Sequence, residues 1–212
     1  MTKRKGQKGS EEEKAINIFI VGVGGQGVIA ASEIICDAAL LAGLEAKKSE
    51  VHGMSQRGGV VTSHVRVGAG ITSPLISDGE ADVMLAFELA EALRWMHFVR
   101  PGGAIIVNTQ KIVPPIAFTL GLKYPDDSAF DKLKSRNIRL IKLDAFSWAS
   151  ELGDPRFSNT ILTGLLSALP QMGLIPKKYW LSAIKKRFAK KMMNENVKAF
   201  EEGQKYQLST LK

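Results

Sequence analysis

The sequence predicts an α/β fold in three layers, with a mostly parallel, Rossmann-like sheet followed by a C-terminal helical extension. Short apolar runs rich in β-branched residues alternate with helical patterns, which is typical of βαβ units. Beyond residue 145 we find helical patterns only. The chain has 212 residues, of which 45% are hydrophobic, and this length and composition fit one domain with one core.

The predicted elements follow in order along the chain. Residues 1–14 have no hydrophobic periodicity and are predicted to be a disordered tail, so the single domain covers 15–212. INIFIVGV at 16–23 is a continuous apolar run, as expected for a strand covered on both faces, and residues 28–44 have helical spacing. Five more strands are predicted at 46–51, 59–67, 82–87, 104–108 and 138–143, with a turn at 101–103 before the fifth.

Composition and charge exclude several classes of protein. The net charge of +8 divides into +2 over 1–14, −1 over 15–176 and +7 over 177–212. The folded body is thus neutral, which argues against nucleic-acid binding, and the basic C-terminal segment is predicted to face solvent or another subunit. The longest apolar stretch is broken by Glu33 and Asp37, so no membrane span is expected. The single cysteine, Cys36, indicates a reducing compartment, and we expect a cytoplasmic protein.

The strongest local motif is a glycine-rich loop between the first strand and the first helix. It places Gly22, Gly24 and Gly27 in GxGxxG spacing, with Gly25 and Gln26 between them. Glycines permit close backbone approach, and the N–H groups at the start of the helix attract an anion such as a phosphate. Glu50, 23 residues after Gly27, has the position of an acid that binds a ribose hydroxyl. Alternatively, the glycines serve strand–helix packing and bind no nucleotide.

A second glycine-rich segment, SEVHGMSQRGG at 49–59, joins the predicted second and third strands. Its guanidinium, on Arg57, suits bidentate pairing with a carboxylate or phosphate. An ordinary glycine turn with a structural salt bridge is the alternative. Besides Glu50, the candidate residues of this segment are His52, Ser55, Gln56, Arg57, Gly58 and Gly59.

We identify no catalytic residues and no metal ligands. The three histidines are scattered, and the sequence contains no HExxH, GxSxG or Walker lysine pattern. His64 lies within a predicted strand and is interpreted as a packed residue. Asn159 precedes an apolar helical run and is interpreted as part of a helix N-cap.

The two glycine-rich segments, followed in order by SPLISDGEAD, PGGAIIVNTQ and SNTILTGLLSAL, resemble the gamma-type subunits of 2-oxoacid:ferredoxin oxidoreductases, and among them most nearly the indolepyruvate type. The resemblance covers nearly all of residues 16–203. It implies a subunit of a heteromeric enzyme that oxidatively decarboxylates a 2-oxoacid, indolepyruvate or a related aryl pyruvate, to an acyl-CoA.

The same resemblance implies how cofactors and partners are divided. This chain would carry no cofactor, whereas the larger partner subunit would hold thiamine diphosphate and the iron–sulfur clusters, receive coenzyme A and pass electrons to ferredoxin. Interface or ligand-contact roles are carried over only onto the two glycine-rich segments. A homodimer of the isolated chain stays open, and a free-standing dinucleotide-binding oxidoreductase or binding protein is the alternative function.

Overall fold

The computed structural model describes residues 15–52, 59–113 and 123–210. The predicted disordered tail at 1–14 lies outside the described residues. Six strands form one sheet, and their bounds are β1 Ile16–Val23, β2 Glu45–His52, β3 Val60–Gly68, β4 Ala81–Ala86, β5 Val99–Asn108 and β6 Arg139–Leu143. The helices are α1 Val28–Leu41, α2 Leu89–Trp95, α3 Ala145–Glu151, α4 Ser158–Ser167, α5 Lys177–Arg187 and α6 Lys190–Thr210. Short 3₁₀ helices cover Met96–Phe98, Asp127–Arg136, Pro155–Phe157 and Pro170–Leu174.

The strand order is β2-β3-β1-β4-β5-β6. β1, β4, β5 and β6 pair in parallel, while β3 is antiparallel to both β1 and β2. β3 alone therefore runs against the other strands, which confirms the mostly parallel sheet. The reversal has a simple cause, because the connection from β2 to β3 is too short for a parallel crossover of a dozen or more residues.

Helices cover both faces of the sheet, which gives the predicted three layers. On one face α1 and α3–α6 bury Ile18 and Ile20 of β1 within the larger core. On the other face α2 and the two 3₁₀ helices at 96–98 and 127–136 cover Phe19 and Val21. All elements after residue 144 are helical, as expected.

The segment Pro101-Gly102-Gly103 differs from its prediction. Instead of a turn before the fifth strand, it lies within β5, where the pairing with β4 shifts between Ala81/Val99 and Val83/Ala104. Gly102 has a φ of 74°, and a Cβ on Gly103 would stand 3.0 Å from the carbonyl oxygen of Asp82. The glycines therefore allow a β-bulge that lets one long strand keep its place beside β4.

Candidate functional site

The glycine-rich loop lies at the carboxyl end of β1. Gly27, with a φ of 88°, is the N-cap of α1, and no side chain caps the first turn of this helix. A Cβ on Gly22 would stand 2.9 Å from the Cβ of Phe87, which follows β4. Glycine is thus required both for the left-handed backbone and for the close approach of β1 to β4.

The side chain of Gln26 ties this loop to its neighbours. Its Oε1 accepts from the backbone N–H of Val23 at 2.8 Å, and its Nε2 donates to the Phe87 carbonyl at 2.9 Å and to Gln110 Oε1 at 3.0 Å. Asn108 Nδ2 also donates to the Phe87 carbonyl, at 3.2 Å. These amides connect the carboxyl ends of β1, β4 and β5.

The structure brings the two predicted glycine-rich segments together. The N–H of Gly24 donates to the carbonyl of Gly59 at 2.8 Å, and Val23 pairs with Val60 at the start of β3. Four predicted site residues, Ser55, Gln56, Arg57 and Gly58, lie outside the described residues, as does the side chain of His52.

Glu50 lies on β2, and β3 separates it from the glycine-rich strand β1. Its carboxylate accepts from Lys48 Nζ at 2.6 Å and from Ser32 Oγ at 3.2 Å. A ribose-binding acid usually lies on the strand next to the one that leads into the glycine loop. Glu50 instead lies one strand further away, because β3 stands between β2 and β1. Its ligand role stays a prediction.

A cleft of about 340 Å³ opens beside the glycine-rich loop. The neighbouring parallel strands β1 and β4 lead into helices on opposite faces of the sheet, and such switch points at the carboxyl ends of strands are where α/β folds bind ligands. The cleft is lined by Gly25, Gln26, Gly27, Gln110, Phe146, Pro155, Arg156, Ser158 and Asn159.

Asn159 is a cleft residue whose place the sequence did not reveal. The N-cap interpretation is wrong, because α4 begins at Ser158 and its N-cap, Phe157, has no side-chain cap hydrogen bond. Asn159 is only 8% exposed, and a Cβ on Gly27 would collide with its side-chain amide. The third glycine of the motif therefore makes room for Asn159, a contact that joins residues far apart in the sequence.

A second polar cluster lies at the start of α2. The buried carboxylate of Glu88 accepts from the N–H of Glu91 at 2.9 Å, from the N–H of Ile112 at 3.1 Å and from the hydroxyl of Tyr124. Burial and the bond to Glu88 raise the pKa of Tyr124 well above its usual range. The cluster fixes the two described ends of the connection between β5 and β6, whose residues 114–122 lie outside the described part.

Cys36 and His64 lie away from the cleft lining. Burial raises the pKa of the Cys36 thiol to about 11, which keeps it protonated and unreactive at neutral pH. His64 is buried, accepts from the N–H of Ile76 at 3.1 Å and packs edge-on against Phe19, in keeping with the predicted packed residue. Within the three described ranges, no group of three or more His, Cys, Asp or Glu is placed to hold a metal ion.

The basic C-terminal segment partly docks on the body of the chain. Lys186 pairs with Asp37 at 2.9 Å, and Arg187 pairs with Glu33 at 2.9 Å. The acidic side of α1 thus meets the last turn of α5. Among the described helices, none is long and apolar enough to cross a membrane.

Residues 17–206 match the family of pyruvate ferredoxin/flavodoxin oxidoreductases. The chain belongs to this family. Indolepyruvate oxidoreductase subunit IorB of Archaeoglobus fulgidus is 39% identical over 191 residues, which are 89% of this chain and 93% of the relative. The protein of the same name from Thermococcus kodakarensis is 36% identical over 91% of this chain and 96% of its own length.

Solved structures agree with this assignment. The gamma subunit of a keto/oxoacid ferredoxin oxidoreductase from Geobacter sulfurreducens is 25% identical with a TM-score of 0.67, over 92% of this chain and 99% of that one. The 2-oxoglutarate:ferredoxin oxidoreductase of Magnetococcus marinus, determined with 2-oxoglutarate, coenzyme A and succinyl-CoA bound, has the same fold, with a TM-score of 0.72 at 20% identity. The superposition includes 93% of our chain but only 32% of that longer chain.

Membership in the oxidoreductase family confirms the predicted resemblance. The chain is a subunit of a 2-oxoacid:ferredoxin oxidoreductase, an enzyme that acts on an oxo group. The relatives that match over most of this chain are themselves named as subunits of oxidoreductases. The free-standing dinucleotide-binding alternative is therefore set aside.

Proposed function

We propose that this chain is the smaller subunit of an oxidoreductase that acts on indolepyruvate or a related aryl pyruvate. The proposal rests on one observation: the chain is more similar to subunits named for indolepyruvate than to subunits named for pyruvate and ketoisovalerate. Three of them, 36–39% identical over about nine-tenths of both chains, are indolepyruvate oxidoreductase subunits. The subunits named for pyruvate and ketoisovalerate are only 27–28% identical.

In the proposed complex the larger subunit carries the cofactors. The reaction releases the carboxyl group of the 2-oxoacid as CO₂, transfers the remaining acyl group to the thiol of coenzyme A, and passes the electrons to ferredoxin. Thiamine diphosphate supplies the electron sink for this decarboxylation, and iron–sulfur clusters accept the electrons. A four-thiolate cluster needs four cysteines, and this chain has one.

The role proposed for this chain is to close the partner's site, exclude water and position coenzyme A or the 2-oxoacid. Support comes from the sheet edge at which the two glycine-rich segments meet, since Gly24 bonds directly to Gly59 there. The cleft opens at the same edge. Arg57 follows β2 in the connection to β3, and we propose that it contacts the partner or an anionic ligand.

Two further properties belong to the proposal. We place the complex in the cytoplasm, where ferredoxin is available and a single unpaired cysteine stays reduced. Without the larger subunit, a homodimer is the assembly that we propose for the isolated chain. Light scattering of the purified chain measures this directly, and a monomer mass contradicts the homodimer without affecting the enzyme assignment.

The experiment that tests the function is purification of the tagged chain from its native cells. We expect a larger brown protein to co-purify, with bound thiamine diphosphate and iron, and to reduce ferredoxin with indolepyruvate and coenzyme A faster than with pyruvate or 2-oxoglutarate. A colourless chain without a partner contradicts the subunit role. A complex that prefers pyruvate contradicts the proposed substrate.

Arg57 is tested in the reconstituted complex. With Arg57→Ala we expect weaker assembly or a higher KM for coenzyme A, and Arg139→Ala serves as a control at an arginine of β6, on the opposite edge of the sheet from β2. Unchanged assembly, coenzyme A dependence and turnover remove Arg57 from the mechanism.

A further inference from the structure

Strand β2 lies at an edge of the sheet. It pairs with β3 on one side, and within the described residues its backbone forms no backbone–backbone hydrogen bond beyond that pairing. In an antiparallel pair, only every second residue directs its N–H and C=O toward the neighbouring strand. The other N–H and C=O groups of this eight-residue strand therefore point away from the sheet, and such a row is a template for a further strand.

The charged side chains of β2 limit which strand can pair with this edge. The strand has the sequence EAKKSEVH. Lys48 and Glu50 lie on the face that α1 covers, because Lys48 contacts Glu33 of α1 at 3.9 Å and Glu50 accepts from Ser32 of α1 at 3.2 Å. Within the chain, Lys48 Nζ and Glu50 Oε1 are 2.6 Å apart. This face of the edge therefore carries a positive and a negative charge, two residues apart.

Two copies of β2 related by a two-fold axis would pair antiparallel, with equal faces on the same side of the joined sheet. The axis then falls on one residue of the strand, and four registers pair five or more residues of β2. In three of them the residue on the axis is Lys47, Lys48 or Glu50, so identical charges lie directly opposite each other, which destabilises the pairing. The fourth register places Ser49 on the axis and avoids this repulsion.

The register centred on Ser49 also matches opposite charges. It places Lys48 opposite Glu50 of the second copy, and the symmetry produces this pair twice. The four side chains form a square in which each charge has a neighbour of opposite sign along its own strand and another across the axis. Because opposite charges directly across an antiparallel ladder stabilise it, the charges of β2 favour a second copy in this register.

Exposed apolar side chains flank the same edge on both faces of the sheet. Val51 is 55% exposed, and in this register it lies opposite Lys47 of the second copy, whose aliphatic stem can cover it. On the other face Leu40 of α1, also 55% exposed, lines a cleft of about 410 Å³ together with Ala46 and Lys48. A second copy at this edge stands next to Val51 and Leu40, so that part of their apolar surface leaves water.

From this complementarity we propose that β2 is the interface of a homodimer, in which two copies of the chain join their sheets edge to edge with Ser49 on the two-fold axis. The inference rests on the proposed function, which assigns a homodimer to the isolated chain, and it adds the surface and the register. A strand of another protein lacks the reciprocal match of Lys48 with Glu50 unless its charges follow the same order.

A cysteine on the proposed axis gives the first test. In the full chain carrying Cys36→Ala, Ser49→Cys is compared with Ser135→Cys, because Ser135 is an exposed residue of the 3₁₀ helix before β6, on the opposite edge of the sheet. Residues directly opposite each other in an antiparallel pair are close enough for a disulfide. Under mild oxidation we expect Ser49→Cys to form a linked dimer about tenfold faster than Ser135→Cys or more. Equal rates overturn the proposal.

Charge reversal tests the register. Lys48→Glu places like charges across the axis, and we expect the dissociation constant of the dimer, measured by sedimentation, to rise about tenfold or more. Lys48→Glu combined with Glu50→Lys restores both cross-strand pairs in reverse, so the constant should return to within about threefold of wild type. Lys134→Glu is the control, because it also breaks an ion pair, with Asp131 at 2.8 Å, but lies away from β2. A double variant that dissociates like Lys48→Glu contradicts the register.

A second pair of cysteine variants keeps the proposal testable if Ser49→Cys does not fold. Position 47 of one copy lies opposite position 51 of the other in this register. A mixture of Lys47→Cys and Val51→Cys should therefore form a linked dimer faster than either variant alone. A mixture that links no faster than the separate variants overturns the register.

Cross-linking and sedimentation of the purified chain need no substrate or cofactor, so they are independent of the enzyme assignment. A monomer at every protein concentration overturns the interface and leaves the subunit role in place. A dimer whose dissociation constant does not change in Lys48→Glu uses another surface, and this also overturns the proposal. If no larger subunit co-purifies but Ser49→Cys links rapidly, the interface stands without the proposed enzyme function.

Discussion

Gly203 of α6 packs directly on the carbonyl oxygen of Ile161 in α4, so that a side chain at position 203 would collide with that oxygen. The contact is reciprocal, because Gly164 of α4 lies equally close to the backbone of Phe200 in α6. Beside this crossing, Thr160 Oγ1 donates to Asn196 Oδ1 at 2.7 Å. The last helix thus braces α4, the helix that carries Asn159 into the cleft.

Gly203→Ala is therefore expected to destabilise the chain. Alanine is the better helix former by about 1 kcal/mol, yet overpacking costs about 1–3 kcal/mol. Because the collision is with a backbone atom, we take the upper end of this cost and expect a net loss of about 2 kcal/mol. Gly173→Ala is the control, since no atom lies within 4 Å of the added Cβ. Equal urea midpoints for the two variants would show that α4 and α6 do not pack closely in solution.

Gln26 joins three strand ends, and we expect Gln26→Ala to lower the free energy of unfolding by about 1–3 kcal/mol, because each lost hydrogen bond contributes about 1 kcal/mol. Part of this loss depends on Gln110, whose Oε1 accepts from Gln26 Nε2. A double-mutant cycle with Gln110→Ala should give a coupling energy of about 0.5 kcal/mol or more. Strict additivity would show that the two amides act independently.

Glu91 gives the chain a pH dependence on the acid side. Burial raises the pKa of its carboxyl group, and the nearby Arg94 and Trp95 only partly oppose this. A carboxyl group whose pKa is higher in the folded chain contributes stability below its unfolded pKa, and this contribution is lost as the pH rises through the folded pKa. We expect wild type to lose stability relative to Glu91→Gln as the pH rises above 4.5, the ordinary pKa of a glutamate.

Urea titrations between pH 4 and pH 8 measure this difference. Glu195→Gln is the control, because Glu195 is an exposed residue of α6. A difference between wild type and Glu91→Gln that does not change with pH would mean that Glu91 is hydrated in solution.

His64 should act in the opposite direction. Burial lowers the pKa of its imidazole, and the neutral ring accepts the bond from the Ile76 N–H. Stability from a histidine with a lowered pKa is present above its unfolded pKa and is lost as the pH falls through the folded one. The variant His64→Asn keeps a hydrogen-bond acceptor near the same place. Below pH 6.5, the ordinary pKa of histidine, we expect this variant to lose less stability than wild type.

His97→Asn is the matched control, since His97 lies on the surface near Asp78. Thermal unfolding at a series of pH values compares the three proteins. A wild-type curve parallel to that of His64→Asn would place the acid sensitivity on another group.

Local patterns predicted the elements well for a physical reason. The continuous apolar run of β1 reflects a strand that is buried on both faces, and the helical spacing of α1 reflects a helix that is buried on one side. Both patterns are encoded within a few neighbouring residues. The bulge in β5 was missed because Pro101-Gly102-Gly103 suits a turn equally well. Only the pairing with β4 distinguishes the two, and pairing is a long-range property.

The sequence by itself determined the fold class, the family and the glycine-rich loop, because periodicity, motif order and glycine positions are properties of the chain. The tertiary structure alone decided the strand order, which puts β3 between Glu50 and β1, and it alone brought Asn159 against Gly27. Both depend on contacts between residues far apart in the chain. The direction in which a side-chain amide points is likewise set by its hydrogen-bond partners, and those partners meet only when the sheet and the C-terminal helices have packed.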